Sequence, residues 1–94
     1  EEDETNISSH NNNRYSVRAS TTIDEFNSYF DTNLNDDEFE TVAGFVINAF
    51  GHLPKRGEKI DAMGFHIKVL RADKRRVNLL LFTRIDKDDI TEQE

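Results

Sequence analysis

No cysteine occurs in the 94 residues, so a disulfide framework, a thiolate metal site and a thiol nucleophile are all excluded. The same absence fits a reducing compartment. Tryptophan is missing too, and there is one methionine and one proline. The longest uninterrupted apolar run, Leu79 to Phe82, falls far short of the roughly 20 residues that a membrane-spanning helix needs. No signal-peptide core precedes anything, so direct membrane insertion is not expected. The first residue is Glu rather than Met, and the chain is expected to be a piece of something longer.

What is present is modest in amount and unevenly placed. Hydrophobic residues make up 35%, with seven Phe and two Tyr, enough for one small domain with a core built on phenylalanine. The formal net charge is −7, but residues 1–13 carry four acids and no base, and residues 85–94 carry five acids and one Lys. That leaves ten acids and eleven bases for residues 14–84, close to neutral. The acidity belongs to the ends and does not indicate a partner. A near-neutral centre without interleaved aromatic and basic residues argues against nucleic acid as a partner. Within the centre the charge is polarised: residues 14–50 hold seven acids and two bases, residues 51–84 nine bases and three acids.

Residues 1–13, with one aliphatic side chain and an Asn tract, read as a disordered acidic linker, with His10 solvated. Residues 14–85 hold all the periodic patterning, and 86–94 read as a disordered acidic tail. Tyr15, Val17 and Ala19 alternate as one face of a strand. Thr22 and Glu25 form a capping-box pattern ahead of a short helix lined by Ile23, Phe26, Tyr29 and Phe30. Val42, Phe45, Val46, Ala49 and Phe50 trace the apolar stripe of a second helix. Gly51 is placed to cap it, Pro54 cannot continue it, and Gly57 permits a sharp turn into an extended stretch. Met63-Gly64 is a tight turn. Phe65, Ile67 and Val69 then face inward, with His66 and Lys68 outward. A charged hairpin at Asp73–Arg76 leads to Val77–Arg84, apolar on both faces as a central strand is. The expected fold is α+β, a small antiparallel sheet with two helices packed on one face. The other face is left exposed or meets a partner, with Leu70, Leu80 and Phe82 as candidates for it.

Catalytic chemistry finds little support. The three histidines sit in unlike contexts, and no Ser lies in a nucleophile-elbow pattern, so a non-enzyme is expected. His52 follows a helix and is read as bonding helix-end carbonyls. The loop Asp31-x-Asn33-x-Asn35 resembles the start of a calcium loop, but Asp36 stands where Gly is needed and Val42 where a bidentate Glu belongs. Asp36, Asp37, Glu38 and Glu40 show no fixed ligand spacing, and no metal site is assigned. Gly44 lies inside a helix, where Gly costs about 1 kcal/mol against Ala, and is read as allowing close approach to the sheet. The basic set Lys55, Arg56 and Lys59, with Arg71, Lys74, Arg75 and Arg76, is the candidate anion-binding surface.

Thr41, Gly44, Gly51, Leu53-Pro54 and Gly57-Glu58, followed by Gly64–Val69 and Arg75–Val77, resemble the signature of the CorC/HlyC transporter-associated domain. The resemblance covers roughly Tyr15 to Thr83. It departs in Phe45, where a smaller aliphatic is usual, and Ala43, where Gly is frequent. Such domains follow a pair of CBS domains in magnesium and cobalt efflux proteins. The resemblance therefore implies a cytoplasmic, non-catalytic regulatory domain that docks on CBS domains, on a membrane ion transporter or on itself as a homodimer. The family resembles FAD-binding domains in fold. FAD or another adenine nucleotide is thus the implied ligand class, and a sensor binding it near Lys55, Arg56, Arg75 and Arg76 is the alternative reading.

Overall fold

A computed structural model describes residues 6–34 and 37–85. Within them the strands are β1 (Ile7–Ser9), β2 (Arg14–Arg18), β3 (Lys59–Ala62), β4 (Phe65–Ala72) and β5 (Val77–Arg84). Helices α1 (Ile23–Phe30) and α2 (Val42–Phe50) fall between β2 and β3. The strands form one sheet in the order β1-β2-β5-β4-β3, every neighbour antiparallel. This is the expected α+β architecture with one strand more.

The extra strand lies in the stretch read as linker. Asn12 and Asn13 both adopt left-handed backbone, with φ of 64° and 61°. Asn tolerates that conformation, so the tract makes a hairpin turn. The His10 amide donates to the Arg14 carbonyl across it at 2.7 Å. Ile7, opposite Val17, is then buried in the core. His10 remains exposed but is hydrogen-bonded to Ser16 Oγ at 2.6 Å. The acidic tail expected over 86–94 lies outside the described residues.

Thr22 caps α1, its hydroxyl accepting from the Glu25 amide at 3.1 Å. The reciprocal half of the capping box is replaced, because Glu25 Oε1 accepts from Asn6 Nδ2 at 2.9 Å and ties the start of β1 to the helix. Ile23, Phe26 and Phe30 are buried, while Tyr29 stays 47% exposed with its ring edge-on to Tyr15 and Phe30. Asp31, at φ 59°, closes the helix. The loop that follows is held by Asn27, whose Oδ1 accepts from the Leu34 amide and the Thr32 hydroxyl.

α2 buries Val42 and Val46 completely and packs the rest of its stripe partly. Gly51, φ 83°, donates to the Ile47 carbonyl as the expected left-handed cap. Pro54 is buried and Gly57, φ 95°, turns the chain into β3, its amide donating to the Val69 carbonyl. Gly44 does not approach the sheet: a Cβ there meets only Phe39, at 3.6 and 3.8 Å, ordinary contact distances. The reason is that the Phe39 ring, from the preceding loop, occupies that side of the helix.

The inward residues of β5 are also not the ones expected, although those of β4 are. Leu80 and Phe82 are core residues, 0% and 1% exposed, whereas Leu79 and Leu81 lie on the open face. Four consecutive apolar residues carry no alternation, so their parity is fixed only by pairing: Val17 and Val69 flank Leu80, Tyr15 and Ile67 flank Phe82. Leu70 sits at a register irregularity between Val69 and Arg71, half-buried.

Two substitutions test these assignments. Ile7→Ala is expected to cost about 2 kcal/mol in urea unfolding, and an unchanged midpoint would put β1 outside the cooperative unit. Gly44→Ala is expected to stabilise by up to about 1 kcal/mol, since helix propensity improves and Phe39 leaves room.

Candidate functional site

The basic residues picked out by sequence fall into two groups. Lys55 and Arg56 occupy the turn entering β3, and Arg75 and Arg76 the β4–β5 hairpin. Both turns lie toward the same end of the sheet, since the Gly57 amide and the Glu58 carbonyl pair with Val69. They do not share a cavity. Arg75 and Arg76 line a cleft of ≈ 580 Å³ with Asp73, Lys74 and Asn78. Arg76 also lines a second of ≈ 720 Å³ with Arg18 and Arg71. Lys55 and Arg56 line neither.

Two carboxylates stiffen these turns. Asp73 Oδ1 accepts from the Arg75 and Arg76 amides at 2.8 and 2.9 Å, and these bonds hold its carboxyl below the ordinary range. Glu58 Oε2 accepts from the Lys55 amide at 2.8 Å, and His52 Nε2 donates to its Oε1 at 3.1 Å. The amide bond first, then His52, holds the Glu58 carboxyl low as well. His52 therefore does not bond helix-end carbonyls. The Gly51 amide already closes α2, leaving the imidazole to reach the next turn.

The open sheet face is the larger feature. Cross-strand pairing sets Leu81 between Ser16 and Lys68, with Lys59 next to Lys68. A second row runs Arg14, Thr83, His66 and Asp61, and a third puts Leu79 between Arg18 and Arg71. Five bases thus surround two half-buried leucines. The acid in these rows, Asp61, is held by His66 Nδ1 at 2.6 Å. Arg14, Lys59 and Lys68 line a shallow cleft of ≈ 700 Å³ beside Leu81. Arg14 and Arg18 escaped attention as site residues in the sequence, although they hold the outward positions of the alternating Arg14–Arg18 strand. Cation clustering across strands depends on register, which periodicity alone does not supply.

A family model described as the transporter associated domain, CorC_HlyC, matches residues 8–86. The chain belongs to this family. It is 43% identical over 91 residues to a magnesium and cobalt efflux protein CorC of Vibrio cholerae, covering 97% of this chain but 31% of that protein. The domain therefore spans about a third of that relative's length. A CorC-associated region from Neisseria meningitidis, described as from a putative Mg2+ and Co2+ transporter, superposes with a TM-score of 0.81 at 40% identity, over 86% of this chain and all of that one. A CorC_HlyC domain from a Xylella fastidiosa hemolysin, described as in complex with Mg++ and Mn++, matches at TM-score 0.74 and 24% identity, over 87% of this chain and 100% of that one. That last likeness is one of fold.

Neither a metal nor a flavin gains a site from these residues. Among the described residues no three His, Asp or Glu side chains converge, and the Asp61–His66 pair stands alone as two. Asp36, one of the acids weighed for magnesium, lies outside the described residues. Gly51, Gly57 and Gly64 each serve a cap or turn at positive φ and line none of the three clefts. No glycine-rich phosphate loop is present in them to cradle FAD. No described helix is long and apolar enough to cross a membrane.

A carboxylate held below its ordinary pKa in the folded state favours folding above that ordinary value. The advantage is lost as pH falls through the folded pKa. Glu58, whose ordinary value is 4.5, is such a group. The stability difference between wild type and Glu58→Gln is therefore expected near neutral pH and should shrink as pH falls below the ordinary value of 4.5 and through the lowered folded pKa. Urea midpoints measured across pH check this, and a difference that persists in acid would remove Glu58's charge from the account.

Proposed function

We propose that the domain is a non-catalytic regulatory part of a CorC-like magnesium and cobalt efflux protein, acting by docking on another part of the same protein. The carrying observation is the open sheet face, where Leu79 and Leu81 lie among Arg14, Arg18, Lys59, Lys68 and Arg71. An antiparallel sheet can leave one face in water. Two leucines at the centre of a cationic rim instead suit a contact with an apolar middle and a polar, charge-matched edge. The occupant assigned is an acidic surface on the remainder of the parent chain, on its CBS domains by the family resemblance, with the domain on the cytoplasmic side.

Two things support that occupant. Charge complementarity favours an acidic partner, because like-charged surfaces are repelled and opposite ones steered together. The chain also spans 31% of its Vibrio relative, so most of such a protein lies beyond this domain. Regulation then follows if the acidic surface is offered in one transport state more than in the other, since only a differential affinity shifts a conformational equilibrium.

The test is a titration of the separately produced remainder of the parent protein with this domain. Lys59→Glu combined with Lys68→Glu is expected to weaken binding at least about tenfold, and added salt to weaken the wild-type complex. Both substitutions are on exposed positions and should leave the fold intact by circular dichroism. Equal binding by variant and wild type would overturn the reading. A homodimer broken by the same substitutions, or binding solely to a separate transporter, would replace the assigned occupant.

A further inference from the structure

The docking face has an acidic counterpart within the 94 residues themselves. β5 is the central strand, and its exit is held on both sides. The Arg84 amide donates to the Asn13 carbonyl and the Ile85 amide to the Gly64 carbonyl, both at 2.9 Å. The chain then continues as Asp-Lys-Asp-Asp-Ile-Thr-Glu-Gln-Glu over residues 86–94, with five acids, one Lys and one aliphatic side chain, Ile90. It thus leaves the fold at the middle of the sheet rather than at an edge. A chain turning back there meets the row of Arg14, Thr83 and His66 first, then the row of Leu81, Lys68 and Lys59.

Reach and charge both suit that path. A strand rises about 3.3 Å per residue, which puts Leu81 roughly 13 Å back from Ile85. A reversal of about three residues leaves six, or roughly 20 Å of extended chain, enough to pass Arg14 and arrive over Leu81. Among the described residues no carboxylate stands at ion-pair distance from Arg14, Lys59 or Lys68. Asp61, the acid of this face, is engaged by His66. The Arg84 guanidinium is turned to the helical side, over Phe30 and Phe65. The other acidic stretch, residues 1–5, is less suited. It has no apolar side chain, and it joins the edge strand β1 at Asn6, whose Nδ2 donates to Glu25 on α1.

We propose that residues 86–94 seat on the open sheet face, their carboxylates against Arg14, Lys59 and Lys68 and Ile90 against Leu81, and so compete with the acidic partner for the docking surface. Each ion pair at such an exposed site contributes little by itself. The segment is nevertheless tethered to the face, and a short tether acts as an effective concentration on the order of millimolar. A partner then binds only the fraction of chains whose face is open, and its apparent affinity falls by that fraction. Neutralising the segment raises the fraction without altering the face. The seat is a property of this chain alone, whereas the competition rests on the docking reading.

The chain has no cysteine, so Thr91→Cys gives one site for a nitroxide spin label. Paramagnetic broadening of the Ser16, Lys68 and Leu81 amides is expected, with the amides of α2 left sharp. Salt near 1 M, where the Debye length is about 3 Å, should relieve it. So should Asp86→Asn, Asp88→Asn and Asp89→Asn combined. The same triple variant, unlabelled, should bind the separately produced remainder of the parent protein at least about threefold more tightly than wild type. Broadening that is equal on α2 and the open face, or that survives the triple substitution, overturns the seat. Broadening in a mixture of spin-labelled chain and isotope-labelled, spin-free chain would overturn it in favour of a second copy. Seating with unchanged docking by the triple variant overturns the competition and leaves the docking reading standing. If neither form binds the remainder, the docking reading fails and takes the competition with it, while the seat stands or falls on the broadening alone.

Discussion

Four phenylalanines decide the sidedness of this domain. Phe26 and Phe30 on α1 meet Phe65 on β4 and Phe82 on β5, with ring centroids 4.6 Å apart for Phe26–Phe30, 5.2 Å for Phe26–Phe82 and for Phe30–Phe65, and 5.3 Å for Phe65–Phe82. Most of these contacts are edge-on or tilted, the arrangements that ring quadrupoles favour. Once Phe82 is turned toward the helices, strand pleating obliges Leu81 and Thr83 to face away. Pairing then carries that choice across β2 and β4, because a one-residue slip would send the whole inward set outward. Arg84, at the end of β5, sits over the Phe65 and Phe30 rings at 5.7 and 5.9 Å and closes the cluster at its edge.

The same choice sorts the charges. With the aromatic side fixed inward, Arg14 and Arg18 join Lys59, Lys68 and Arg71 on the open face. The exposed acids Asp24 and Glu25 in the first turn of α1, and Glu38 and Glu40 ahead of α2, belong to the helical side. An acidic first half and a basic second half of the chain are thereby converted into an acidic layer and a basic layer. The two arginines of β2, minority bases in the acidic half, sharpen the separation because they fall in the sheet. Near-zero charge over the folded part thus conceals a polarised molecule, and it is polarity of surface rather than net charge that bears on partners.

Much of this was legible in the sequence because it rests on local rules. The alternation of Phe65, Ile67 and Val69 and the Gly51 cap each follow from backbone geometry that a few residues determine. What escaped depends on non-local pairing. Ile7 alone carries too little apolar signal to announce a strand, and it becomes one because two asparagines take left-handed backbone and return the chain beside Val17. The run Leu79–Phe82 has no parity until its neighbours are known. Gly44 invited a close-approach explanation that the space around it does not require. Arg18 and Arg71, which flank Leu79, lie far apart in sequence, and only the antiparallel order brings them together.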